Sequence, residues 1–180
     1  MPHDWERDAR HPGEYHSVEI QRGREFILRL TTGSDVFLAV QQFAKDHDIR
    51  FGKIHAAFMG GLQPARFLVW APDTRDPDNW HNEEPRTIHN LTMVLSMSGM
   101  IHPGPVASGS DEPFPAIHFV TGGAWDAPTT GGHLLEGSIV KGVLEVFITE
   151  IEGIEVMHPE EAEADPNAQE FPENWYSETT

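Results

Sequence analysis

The chain has no cysteine. Disulfide frameworks and thiolate metal sites are thereby excluded, and any metal ion would have to be held by histidine and carboxylate. Basic residues are scarce: 12 Lys and Arg against 29 Asp and Glu leave a formal charge of -17, a field that repels phosphate backbones and anionic membranes. Sequence-independent DNA binding is therefore disfavoured. No segment approaches the ~18 consecutive apolar residues of a membrane-spanning helix, and Met1 to Ser17 hold no apolar stretch of the kind a signal peptide needs. A soluble cytoplasmic protein is the expectation. Internal repeats and heptads are absent too. Gly122-Gly123 and Gly131-Gly132 lie outside the strand, Gly-rich loop, helix order of a nucleotide-binding loop, and read as turn glycines.

What is present fits one domain of 180 residues with polar ends. Residues 1–24 form a polar arm broken by Pro and Gly, whose His3, His11 and His16 read as solvated. Residues 25–157 form the body, and 158–180 an acidic tail. The tail carries seven acidic residues and no Lys or Arg, so removing it changes the formal charge from -17 to -10. It also holds Phe171, Trp175 and Tyr176, which a purely solvating tail would not need. Part of it is expected to dock on its own or a neighbouring subunit.

Within the body, Phe26 to Leu30 reads as a strand leading to Ser34, a good helix N-cap. Val36, Phe37, Val40, Phe43 and Ala44 then fall at helical spacing, with the helix ending near His47-Asp48. Phe51 to Gly61 and Gln63 to Trp70 look like successive strands joined at a glycine pair. A polar loop from Ala71 to Pro85 contains Trp80-His81. Thr87 to Gly99 alternates as one long strand, with Leu91, Met93, Leu95 and Met97 on one face. After a second loop, His102 to Glu112, Pro113 to Val120 and Gly131 to Leu134 read as the two arms of a hairpin, and Val143 to Ile151 as a last strand. One helix among many strands argues for an α+β fold with a largely antiparallel sheet or partial barrel.

The hairpin places one histidine on each arm, His118 and His133. Neutral imidazole is the commonest nitrogen ligand for zinc, so the pair could belong to a metal site or a catalytic pocket. Each could equally be an ordinary strand residue satisfied by backbone. Glu145, on a strand whose Leu144 and Val146 face the other way, could orient a histidine or simply face solvent. Trp70, Trp80 and Trp125 read as core lids or interface anchors.

The order of Arg29-Leu30, Gly33-Ser34-Asp35, Gly60-Gly61, Leu95-Ser96-Met97-Ser98-Gly99, Pro113-Phe114, Ile117-His118, Gly131-Gly132-His133-Leu134 and Leu144-Glu145-Val146 resembles the plant-and-prokaryote-conserved (PPC) domain family, over roughly Glu25 to Ile151. The resemblance implies a compact α+β homotrimer with a fold shared with acetolactate decarboxylase. It also implies a zinc site built from a His-x-His on one strand plus a later histidine. His118 matches the second ligand and His133 the third, whereas the first position is Ala116. A replacement would have to come from His102, His55 or His89. The family also often has a Glu near the start of the Leu-Ser-x-Ser-Gly strand, where this chain has Met93.

Plant relatives bind DNA through basic hooks carrying Arg-Gly-Arg-Pro. Here Arg22-Gly23-Arg24 is followed by Glu25 in a non-basic setting, and reads as a chance match. Three functions stay open. The first is a trimeric domain that binds a small ligand or a protein partner in regulation. The second is a zinc enzyme on a small carbonyl or carboxylate substrate, with His118, His133 and one of His102 or His55 as ligands and Glu145 as supporting carboxylate. DNA binding ranks third.

Overall fold

The computed structural model describes residues 17–72, 80–104, 111–123, 129–156 and 176–179. Among them a single helix, α1 (Val36–Asp46), packs on an open antiparallel sheet. Successive neighbours in the sheet are β1 (Gln21–Thr31), β12 (Val143–Glu152), β2 (Gly52–Phe58), β8 (Thr92–Pro103), β9 (Pro113–Gly123), β10 (Thr130–Leu134), β4 (Ala65–Leu68) and β7 (Arg86–Ile88). Off this path, β3 (Gly61–Leu62) joins β8 to β11 (Val140–Lys141). A separate ribbon pairs β5 (Trp70–Pro72) with β6 (Trp80–Asn82), and another pairs β13 (Ile154–Val156) with β14 (Tyr176–Glu178).

Helix α1 forms where the sequence pattern puts it, because Val36, Val40 and Ala44 recur on one face and are fully buried. Each buried valine contributes about 2 kcal/mol of hydrophobic stabilisation. The cap is Asp35 rather than Ser34: the Asp35 carboxylate accepts from the Leu38 amide at 3.2 Å. Ser34 is instead held one residue outside by backbone bonds to Thr31 and Val140. The helix closes the inner face of the sheet, where Ile54, Leu62, Phe67, Met97, Ile101, Ile117, Phe119, Leu134 and Leu144 complete the core.

Three sequence expectations are corrected by the register. The glycine pair at 60–61 does not join neighbouring strands: β2 pairs with β12 and β8, while β4 crosses to the far side of the sheet beside β10 and β7. The expected strand from Thr87 to Gly99 is two, β7 and β8, with His89 to Leu91 between them. Its predicted shared face is also broken. A bulge between Val94 and Ser96 adds a residue to β8, which flips the side-chain alternation beyond it. Met97 is consequently buried, whereas Leu91, Met93 and Leu95 are exposed.

Both ends are tied more closely than their polarity suggests. β1 begins at Gln21, inside the segment read as arm, and the Arg24 guanidinium holds Glu150 through two bonds of 2.6 and 2.8 Å. The tail returns to the body as β14, with Tyr176 set edge-on against Phe51 in a small cluster with Ile151 and Ile154. Trp125, Phe171 and Trp175 lie outside the described residues. Among the described residues no helix is long and apolar enough to cross a membrane.

Candidate functional site

The site grows out of the β9–β10 hairpin. In the antiparallel register His133 stands directly opposite His118. On the other side of β9, Ser98 stands opposite His118, and Leu68 of β4 stands opposite His133. Ser98, His118, His133 and Leu68 thus form one row across four strands on the outer face of the sheet. Period-2 alternation sends Ile117 and Phe119 into the core, and that is what turns the two imidazoles outward. Their ring centroids are 5.3 Å apart at 79°.

Phe114, four residues before His118, completes the lower wall. Its ring lies nearly parallel to His133, at 17° and 6.4 Å between centroids, and is held from behind by Phe37 of α1 at 5.4 Å. Gln41 of the same helix donates to the Pro113 carbonyl at 3.0 Å. The β5–β6 ribbon supplies the opposite wall through Trp70, His81 and Asn82, and Ser96 joins the floor. The cleft has a volume of about 1250 Å³, somewhat above the roughly 300–1,000 Å³ usual for small-molecule sites.

His118 is exposed and His133 partly buried. Burial, followed by the proximity of His118 and His102, holds the His133 imidazole below its ordinary value of 6.5. Neutral His133 offers one N–H donor and one lone pair to the cleft at pH 7.

The other histidines occupy different places. His102 is buried in β8, not in a loop. Its Nδ1–H donates to the Pro103 carbonyl at 2.6 Å, and its ring contacts Phe114, not the histidine pair. His55 bonds Thr149 at 2.7 Å, and His89 is exposed between β7 and β8. Among the described residues no three His, Asp or Glu side chains converge on a point that could hold a metal ion. Ala116 lies two residues before His118 on the same outer face, where a third imidazole would be needed. Catalytic zinc takes three protein ligands and an open position; the pair present does not fit that requirement.

Glu145 accepts from Arg29 Nε at 2.9 Å, and β2 and β8 separate its strand from β9. Its carboxylate therefore neutralises an arginine away from the histidine pair. The residues that sequence reading missed are those of the cleft walls. Trp70 is 52% exposed and lines the cleft, where it was expected as a lid or interface anchor; His81, Asn82, Ser96, Ser98 and Phe114 were not singled out. The one local signal was Trp70-Ala71-Pro72 facing Trp80-His81-Asn82 across a Pro- and Asp-rich loop, a hairpin pattern in which Trp70 was read as a strand end and the rest as loop.

The Arg22-Gly23-Arg24 stretch is likewise decided by its partners. Arg22 pairs with Glu25, and Arg24 with Glu150 and the His47 carbonyl.

Comparison with solved structures shows the same fold. A plant- and prokaryote-conserved (PPC) protein from Pyrococcus horikoshii superposes with a TM-score of 0.60 at 20% identity, covering 77% of this chain and 86% of that one. A protein from Archaeoglobus fulgidus described as metal-containing gives 0.59 at 23% identity over the same shares, 77% and 86%. A Bacteroides thetaiotaomicron protein provisionally named as DNA-binding gives 0.55 at 19% identity, over 73% of this chain and 82% of that one. No curated protein matches the sequence. The profile of the Plants and Prokaryotes Conserved (PCC) domain matches residues 18–152, a span containing α1 and the whole sheet, and the chain therefore belongs to the PCC (PPC) domain family.

Proposed function

We propose that this chain is a non-enzymatic, ligand-binding PPC domain with a regulatory role, and that the cleft above His118 and His133 is where its small-molecule ligand sits. The observation that carries the reading is the pair of imidazoles, His118 and His133, on the floor of a cleft of about 1250 Å³ walled by Trp70 and Phe114. Among the described residues no hydrogen bond joins Ser98 to His118, so the floor carries binding groups without a nucleophile and base in contact.

Self-association as a homotrimer is part of the proposal. Copies of a chain of charge -17 repel one another, so they must meet through an uncharged surface. Leu91, Met93, Leu95 and Val120, all more than 40% exposed, supply one along β8 and β9. Light scattering should give the trimer mass. The Cys-free composition suits a cytoplasmic setting.

A thermal-shift screen against small metabolites tests the binding role. Ligands should raise the Tm of the unaltered chain and leave His118→Ala and His133→Ala unmoved. Hits indifferent to both substitutions, or turnover of a hit, would overturn the reading.

The alternative is a zinc enzyme resembling acetolactate decarboxylase. It is favoured by the His118–His133 contact and by the metal-containing Archaeoglobus neighbour, and opposed by Ala116, the contacts of His102 with Pro103 and Phe114, and the pairing of Glu145 with Arg29. DNA binding ranks below both, since the charge is adverse and Arg22 and Arg24 are occupied by carboxylates.

A further inference from the structure

We infer that the cleft selects an uncharged, planar heteroaromatic ligand carrying both hydrogen-bond donors and acceptors, of the size of a nucleoside. The inference rests on the ligand-binding reading above and adds the chemical class.

Charge comes first. Among the described residues lining the cleft there is no Asp, Glu, Lys or Arg. A phosphate or carboxylate entering it would lose water and meet no fixed cation among those residues, on a chain whose overall charge of -17 already repels it. A protonated amine would be drawn by the long-range field but would find no carboxylate among the described lining residues to replace its water. Aromatic faces return less to a desolvated cation than stripping its hydration costs.

Shape comes second. Six rings, those of Trp70, His81, Phe114, His118, Phe119 and His133, border the same space, and Phe114 and His133 lie within 17° of parallel. Flat π faces are matched by a flat π ligand, because a base stacks favourably on an aromatic ring whatever its identity. An aliphatic ring of equal size lacks that term.

Hydrogen-bond chemistry comes third. Asn82, Ser96 and Ser98 each both donate and accept, as does a neutral imidazole. This set suits a ligand edge that mixes ring N–H, amine and carbonyl groups. An anion, which only accepts, would leave the lone pairs unused.

Isothermal titration of the full chain with adenosine, guanosine, cytidine and uridine, each beside its 5′-monophosphate and with ribose as the control that lacks the base, tests this. At least one nucleoside should bind, its monophosphate should bind at least tenfold more weakly, and ribose should not bind. Trp70→Ala and Asn82→Ala should each weaken the nucleoside at least fivefold with the circular dichroism spectrum unchanged. A monophosphate that binds as well as its nucleoside overturns the inference. Should no nucleoside bind while a charged metabolite binds in a His133-dependent way, the inference falls and the ligand-binding reading stands. Both fall if neither kind of ligand binds.

Discussion

The rings of His118 and His133 meet edge to face, 5.3 Å between centroids, across one rung of the β9–β10 ladder. Antiparallel pairing alone holds them together, so the contact needs no bound group to form. What the rung lacks is a third donor, and Ala116 stands where one could project from the same strand face.

Ala116→His should therefore convert a two-nitrogen contact into a three-histidine site. The variant is expected to retain zinc through desalting, whereas the unaltered chain loses it; elemental analysis of both reads the difference. Stoichiometric zinc in the unaltered chain would mean that another group reaches the pair.

His133 also sets a pH dependence. Its imidazole is held below 6.5 in the folded chain, first by burial and then by the charges of His118 and His102. Between the depressed value and 6.5 the unfolded chain binds a proton that the folded one refuses, so stability rises with pH across that window and levels off above it. His133→Gln should flatten this segment of the profile, seen as a smaller difference in Tm between pH 5 and pH 7.5.

Glu150 works in the opposite range. The hydrogen bonds from Arg24 hold its carboxyl below the ordinary 4.5. Its contribution is therefore complete above that value and is lost as pH falls through the depressed one. Glu150→Gln should lower Tm at pH 7, with the two proteins converging in acid. A constant offset at every pH would assign the effect to packing.

Gly131, read from sequence as a turn glycine, lies inside β10 opposite Val120, and the strand tolerates no side chain there. A Cβ there would lie 2.0 Å from the Phe119 carbonyl oxygen, and Gly131→Ala should cost about 3 kcal/mol, read by urea denaturation. Gly142, with φ of 86° but nothing within 4 Å of an added Cβ, should cost only about 1–2 kcal/mol on the same substitution.

Tyr176 anchors the returning tail against Phe51. Tyr176→Ala should remove about 2 kcal/mol and expose the chain beyond Val156 to faster proteolysis. Ligand binding at the distant cleft should persist.

Much of this architecture was legible in the residues. The 3.6-residue spacing of Val36, Val40 and Ala44 specified α1, because only a helix puts those three on one face. The run from Pro113 to Val120 specified a strand carrying His118, and Gly131-Gly132 marked the returning arm that carries His133. The bulge before Ser96 escaped notice, since one inserted residue leaves composition and local propensity unchanged while reversing every side chain after it. Asp35 and Ser34 are both good caps, and only the contact with Leu38 separates them.

By itself the sequence determined most of the elements, the one histidine on each hairpin arm and the acidic field, which follow from residue identity and short-range spacing; the missing ligand at Ala116 came from the family resemblance. Tertiary structure alone decided which strands became neighbours. It set β4 beside β10, folded the β5–β6 ribbon over the histidines, placed His102 against Phe114 and gave Glu145 to Arg29. Those pairings join residues far apart in the chain, and their selection depends on burying one common core, a quantity that no local pattern contains.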